Sequence, residues 1–147
     1  MNAPLFYSKI LLFGEYGIIK NSKGLSIPYN FYKGGLKMGD LSKANVHESN
    51  MILKKFKDYL FKIESKIEPF DFSRMNHDLN NGMYFDSTIP QGYGVGSSGA
   101  LVAAFYDRYS KNKITVLENL TKEKILNLRD IFSKMESYFH GKSSGLD

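Results

Sequence analysis

Residues 89–100 read IPQGYGVGSSGA, in which glycines alternate with other residues and two serines precede an apolar, helix-forming segment that starts at Ala100. Glycine lets the backbone turn so that several N–H groups can converge on one point. A helix that begins there adds its unpaired N–H groups and the positive end of its dipole. Since this combination binds anions, the stretch predicts a phosphate site in which the serines cap the helix or give an oxygen to Mg²⁺.

The composition favours one globular, cytoplasmic domain. The chain has 147 residues, of which 42% are hydrophobic, and it has no cysteine, which excludes a disulfide framework and a thiolate metal site. Its first residues lack a signal-peptide pattern, and no apolar run is long enough to span a membrane. We attribute the net charge of +5 to lysine-rich helix faces or to an anionic small-molecule ligand, and we expect neither a nucleic-acid nor a membrane partner.

Hydrophobic periodicity and turn residues predict an α+β fold. We expect a β-rich opening, with strands at 5–13, 16–19 and 25–32, that is closed by Gly34 and Gly35. Apolar residues spaced three and four apart then predict a helix over about 43–66, and we expect a second, short helix over 71–79 that is capped by Asp71 or Ser73. A strand at 83–89 leads into the glycine loop, which is followed by a helix at 98–110, a short extended link at 114–117, and a helix from the cap Thr121 to about 139.

Two better-known glycine motifs and one simpler explanation compete for this loop. A P-loop fails, because the glycine that should precede Gly141-Lys142-Ser143 is replaced by Glu136. A dinucleotide-binding fingerprint is present at Gly94, Gly96 and Gly99 with an acid at Glu118, but Pro90 is unusual in the buried strand that should precede it. A glycine-rich turn and helix cap without a ligand also stays open.

Two further segments carry polar groups in unusual surroundings. The last predicted helix has an apolar stripe with Glu136 at its edge, on the same flank as His140, and a second glycine–serine turn then runs to Asp147. In the opening strand, Lys9 lies within a strongly apolar sequence. The stripe consists of Ile125, Leu128, Phe132, Met135 and Phe139.

Together the three segments resemble the GHMP family of small-molecule kinases, and within it the mevalonate-kinase-like proteins. Residues 8–15, SKILLFGE, are similar to the family's opening motif. Residues 90–100 match its phosphate loop, P-x-G-x-G-[LV]-G-S-S-[AG]-A, at every defined position. Glu136 followed by HGKSSGLD at 140–147 resembles its third conserved element in this subgroup.

The resemblance implies a role for each matched residue. The loop would wrap the phosphates of ATP, Ser98 and Glu136 would hold Mg²⁺, and Asp147 beside Lys9 would orient or deprotonate the substrate hydroxyl. Substrate contacts are implied at Glu15, Tyr16 and His140. The implied ATP-binding residues are Pro90, Gly92, Gly94, Val95, Gly96, Ser97, Ser98, Gly99 and Ala100.

The sequence also departs from the family in two ways. Tyr16 stands where the family's opening motif usually has a histidine, so the substrate, mevalonate or a related acid, stays open. Family members continue into a C-terminal domain with another glycine-rich motif, for which we find no counterpart. We therefore expect residues 1–147 to be a truncated N-terminal, ATP-binding domain that is inactive alone and possesses apolar surface suited to self-association. A non-catalytic remnant is the alternative.

Overall fold

The computed structural model describes residues 4–13, 25–89, 97–114 and 121–140. These residues form three strands and four α-helices, which confirms the predicted α+β class. The strands are β1 (Phe6–Phe13), β2 (Leu25–Met38) and β3 (Met83–Ser87). The helices are α1 (Ala44–Ile63), which continues as a 3-10 turn (Glu64–Lys66), α2 (Phe72–Asn80), α3 (Ser97–Tyr109) and α4 (Lys122–His140).

The sheet is antiparallel, with the strand order β1-β2-β3. Leu36 pairs with Phe85 across β2 and β3, and both side chains belong to or pack against the hydrophobic core. On the opposite face, Lys37 Nζ lies 2.6 Å from Asp86 Oδ2 in an exposed ion pair. This alternation is typical of a sheet that is covered by helices on one face only.

The strand β2 continues to Met38, so our expectation that Gly34 and Gly35 close the β-rich opening is wrong. A Cβ at Gly34 would collide with the ring of Phe85, and a Cβ at Gly35 would lie 2.9 Å from the carbonyl oxygen of Pro4. The two glycines therefore permit close packing within a strand, and they do not mark a turn.

Helix α1 lies against β3 and supplies hydrogen bonds to its backbone. The Phe85 N–H donates to Ser49 Oγ at 2.9 Å. The buried amide of Asn50 donates to the carbonyl oxygens of Leu79 at 2.8 Å and Met83 at 2.7 Å. The bonds to Phe85 and Met83 satisfy backbone groups of β3, and the bond to Leu79 holds the end of α2 against α1.

The core lies between the sheet and the four helices. The ring of Phe56 on α1 lies 5.1 Å from that of Phe105 on α3 and 5.2 Å from that of Phe139 on α4, measured between centroids. On α4 the predicted stripe is shifted, because Ile125 is 50% exposed whereas Ile131 is 1% exposed. Because α4 packs on both α3 and α1, the buried face of the helix also includes Ile131 and Glu136, which lie outside the predicted stripe.

The predicted caps of two helices are confirmed. Asp71 Oδ1 accepts from the Arg74 N–H at the start of α2, and Thr121 Oγ1 accepts from the Lys124 N–H at the start of α4. Among the described residues, no helix has the length and apolar character needed to cross a membrane.

Candidate functional site

The first turn of α3 consists of Ser97, Ser98, Gly99 and Ala100. The N–H groups of a first helical turn have no partner within the helix, and the dipole gives this end a partial positive charge. The buried side chains of Leu101, Val102 and Phe105 anchor α3 in the core and so fix the position of its first turn. This turn therefore offers a rigid, anion-attracting end.

Glu136 approaches the same place from α4. Its side chain is 1% exposed, and it follows Met135, which is fully buried in the core. The sequence placed Glu136 only at the edge of the apolar stripe, whereas the packing of α4 on α3 buries it. Because a carboxylate is costly to bury, its charge has to be compensated locally by hydrogen bonds, a cation or the helix end.

Three side chains meet between the start of α3 and the end of α4. Ser98 Oγ lies 3.4 Å from Glu136 Oε1 and 2.7 Å from His140 Nε2. Glu136 and His140 are four residues apart on α4, so they lie one turn apart on the same face. The structure thus brings together the two residues proposed as metal ligands and adds His140 to them.

The donor set suits a hard divalent cation. Mg²⁺ prefers oxygen ligands at about 2.1 Å in an octahedron, in which neighbouring ligand oxygens lie about 3 Å apart. The 3.4 Å between Ser98 Oγ and Glu136 Oε1 is close to that spacing. Within the described ranges no three His, Cys, Asp or Glu side chains cluster as a metal site. Ser98 and Glu136 are the candidate ligands among the described residues, and Mg²⁺ commonly completes its octahedron with water and phosphate oxygens.

Several sequence-predicted site residues lie outside the described residues. Lys9 lies in β1, where its Cα pairs with that of Pro28, but its side chain is outside the described structure. Roles at these positions stay predictions, as does a substrate contact of His140. The positions outside the described residues are Glu15, Tyr16, Pro90, Gly92, Gly94, Val95, Gly96, Glu118 and Asp147.

A second polar cluster, with a cavity of about 180 Å³ beside it, lies at the other end of α3. Asp78 Oδ2 accepts from Arg108 Nε at 3.0 Å and from the Tyr109 hydroxyl at 2.8 Å. Burial, followed by the hydrogen bond to Asp78 and the charge of that carboxylate, raises the pKa of Tyr109. Arg74 Nη1 donates to the Arg108 carbonyl oxygen, so these groups tie α2 to α3. Since Arg108 is ten residues from Ser98, or about 15 Å along the helix, this cluster is separate from the candidate site.

An α+β domain with a serine-bearing helix start beside a buried carboxylate fits the phosphate-binding half of a nucleotide-dependent enzyme. The family description "GHMP kinases N terminal domain" matches residues 50–147, about two thirds of the chain. The chain therefore belongs to the GHMP kinase family, whose members are phosphotransferases that use ATP. Neither the search of curated proteins nor the search of solved structures found a match.

The sheet and the family match together argue against the dinucleotide-binding alternative. That fingerprint requires a parallel βαβ unit in which a buried strand leads directly into the first glycine. The strand before this loop, β3, pairs antiparallel with β2 instead. Gly99 lies in the first turn of α3, whereas the other three residues of the fingerprint lie outside the described ranges.

Proposed function

We propose that this chain is the ATP-binding part of a kinase that transfers the γ-phosphoryl group of ATP to a hydroxyl of a small metabolite, with mevalonate or a related acid as substrate. The family supports phosphoryl transfer. The observation that carries the proposal is the approach of Ser98, in the first turn of α3, to the buried carboxylate of Glu136.

The charges at this helix end explain why a cation belongs to the proposal. The first turn of α3 favours an anion, but a phosphate bound there would lie close to Glu136 and would be repelled by it. A divalent cation held by Ser98 and Glu136 removes this conflict. When bound, Mg²⁺ would neutralise the charge on the phosphate oxygens, which is the main requirement of phosphoryl transfer.

The loop before α3 would surround the phosphates. In the proposal, backbone N–H groups from Gly92 to Ala100 turn toward the phosphate oxygens, since glycine removes the Cβ atoms that would keep the backbone away. Ser97, which is the first residue of α3, would bond a phosphate oxygen, and Pro90 would begin the loop. The anchoring of α3 in the core supports this arrangement, because it holds the far end of the loop in place.

The transfer step would use residues beyond this loop. Asp147 would orient or deprotonate the substrate hydroxyl, and the ammonium group of Lys9 would keep that carboxylate ionised. Glu15, Tyr16 and His140 would contact the substrate. With Tyr16 in place of the family's usual histidine, we expect a substrate preference different from that of mevalonate kinases.

We also propose that residues 1–147 act as the N-terminal domain of a two-domain, cytoplasmic enzyme. The matched family description concerns the N-terminal domain, which supports this organisation. A second domain would close over the nucleotide and exclude water, so the chain alone should turn over little substrate. Exposed apolar side chains such as Phe61 on α1 would favour self-association of the isolated chain.

Calorimetric titration with Mg·ATP tests the phosphate site. We expect Ser98→Ala to weaken Mg·ATP binding by about tenfold or more, because a metal ligand is lost. Ser110→Ala, just past the other end of α3, is the matched control and should bind like the wild type.

Equal affinity of Ser98→Ala and the wild type would contradict the proposed site. Binding of NADH without binding of ATP would favour the dinucleotide-binding alternative, and binding of neither would indicate a non-catalytic remnant. In a coupled ADP assay with mevalonate, a rate typical of a complete kinase would contradict the need for a second domain.

A further inference from the structure

Among the described residues, Ser98 Oγ has polar contacts with Glu136 and His140 at unequal distances, and it has only one proton to donate. A hydroxyl that donates to a carboxylate normally lies 2.5–2.7 Å from it. The distance to Glu136 Oε1 is 3.4 Å, which is too long for such a bond to be strong. The distance to His140 Nε2 is 2.7 Å, which is that of a full hydrogen bond.

The two distances bear on which group takes the Ser98 proton. A proton donated to Glu136 would bring the two oxygens closer than 3.4 Å, whereas the 2.7 Å to His140 fits a hydrogen bond in either direction, according to the tautomer of the ring. The unequal distances therefore favour the Ser98 hydroxyl as donor to His140. His140 Nε2 is then the acceptor, and in the neutral ring the proton is on Nδ1.

We propose that His140 is a positioning residue for the cation site: it accepts the Ser98 proton and so leaves the lone pairs of Ser98 Oγ facing Glu136. This inference rests on the proposed function, because the direction of the Ser98 lone pairs matters for binding only if Ser98 is a metal ligand. With the opposite polarity, His140 would occupy a lone pair of Ser98, and the Ser98 proton would point into the space where a cation must bind. Groups that orient a metal ligand in this way commonly change metal affinity 10- to 100-fold.

The packing of α4 supports such a role. Phe139, next to His140, packs against the core and against the ring of Phe56. The last turn of α4 is therefore held in place although His140 itself is exposed. This arrangement fixes the backbone that carries His140, and the contact with Ser98 then orients the imidazole.

The tautomer can be read directly by ¹⁵N NMR on the unliganded chain. The chain has three histidines, so the ring signals of His140 can be assigned by their loss in His140→Gln. At about pH 8.5, where histidine rings are generally neutral, we expect the Nδ1–H form for His140. A predominant Nε2–H form would overturn the proposal whatever the protein binds.

Metal-dependent nucleotide binding is the second test. We expect His140→Leu to lower the gain in ATP affinity caused by Mg²⁺, measured relative to ATP binding in EDTA, by about 10- to 100-fold. His140→Gln keeps an acceptor oxygen at a similar reach and should stay within about threefold of wild type. The matched control is His47→Leu on the exposed face of α1, and thermal melting verifies that each variant is folded.

The outcomes separate this inference from the proposed function. If Ser98→Ala loses the Mg²⁺ effect and His140→Leu keeps it, the proposed function stands and the positioning role is wrong. If His140→Gln is as impaired as His140→Leu, acceptance of the proton is not what matters, and the inference fails. If the wild type gains nothing from Mg²⁺, both proposals fail.

Discussion

Helix α3 has a serine–glutamate pair at each end, and the two pairs differ. At its start, Ser98 lies 3.4 Å from Glu136, which is 1% exposed. Just beyond its last residue, Ser110 donates a close hydrogen bond to Glu68, which is only partly buried. The first pair therefore combines the more buried carboxylate with the looser contact.

The helix dipole explains what this difference means. A carboxylate is favoured at the positive start of a helix and disfavoured at its negative end. Burial raises the pKa of Glu68, and the hydrogen bond from Ser110 opposes this rise. The pair at the end of α3 is thus a local contact. It lies beside an isolated β-bridge that joins Phe70 to Ser110. The pair at the start leaves space between two oxygens, as a ligand site requires.

The largest expected effect comes from neutralising Glu136, the glutamate at the start of α3. Glu136→Gln keeps the shape of the side chain but removes the charge that would attract Mg²⁺. We expect the gain in ATP affinity caused by Mg²⁺ to fall about 10- to 100-fold. Calorimetric titrations of ATP, with Mg²⁺ and with EDTA, measure this gain.

Glu68→Gln is the matched control at the other end of α3. It should leave metal-dependent ATP binding unchanged, since its partner Ser110 is twelve residues from Ser98, or about 18 Å along the helix direction. An equal loss in both variants would show that the two pairs do not differ in function, and the comparison would fail.

The sequence predicted the helices well because their signals are local. Apolar residues at helical spacing and the caps Asp71 and Thr121 predicted α1, α2 and α4 to within a few residues. The continuation of β2 through Gly34 and Gly35 could not be predicted in this way. It depends on the ring of Phe85, which is about fifty residues away in the chain.

In the candidate site, too, local sequence signals could be predicted, whereas contacts that depend on packing could not. The residue types and spacing of the glycine loop selected Ser98, and the family resemblance selected Glu136. The spacing of four residues between Glu136 and His140 predicted a shared helix face, but their meeting with Ser98 depends on how α4 packs on α3. The near-complete burial of Glu136 follows from that packing too.

A smaller effect is expected at the last residue of α3. Tyr109→Phe keeps the buried ring but removes the hydrogen bond from Tyr109 to Asp78, so that this carboxylate keeps only the contact with Arg108 of the two described above. Hydrogen bonds to charged groups contribute about 1.5–3 kcal/mol, and we expect a loss of about 1.5 kcal/mol in the free energy of unfolding. Urea unfolding measures it, with the more exposed Tyr138→Phe on α4 as control.

Folded Tyr109→Phe should bind ATP like the wild type, because the polar groups at the end of α3 stabilise the fold and lie away from the candidate site. A weaker Mg·ATP affinity without a change in stability would reverse that assignment.

The smallest expected effect is the pH dependence contributed by Glu68. Burial raises the pKa of Glu68 above its value in the unfolded chain. At a pH between these two pKa values, the carboxyl is protonated in the folded chain and ionised in the unfolded chain. Stability therefore falls as pH rises through this window, and above it the charged carboxylate disfavours the fold. Glu68→Gln should raise the free energy of unfolding at about pH 7 by about 0.5 kcal/mol or less, and it should have no such benefit at about pH 3.5, where the carboxyl is protonated in both states. Urea unfolding at the two pH values measures this, with Glu48→Gln on the exposed face of α1 as control. A loss of stability at pH 7 would mean that the charged form of Glu68 is favoured by its contact with Ser110, and the two ends of α3 would then be more alike than their geometry indicates.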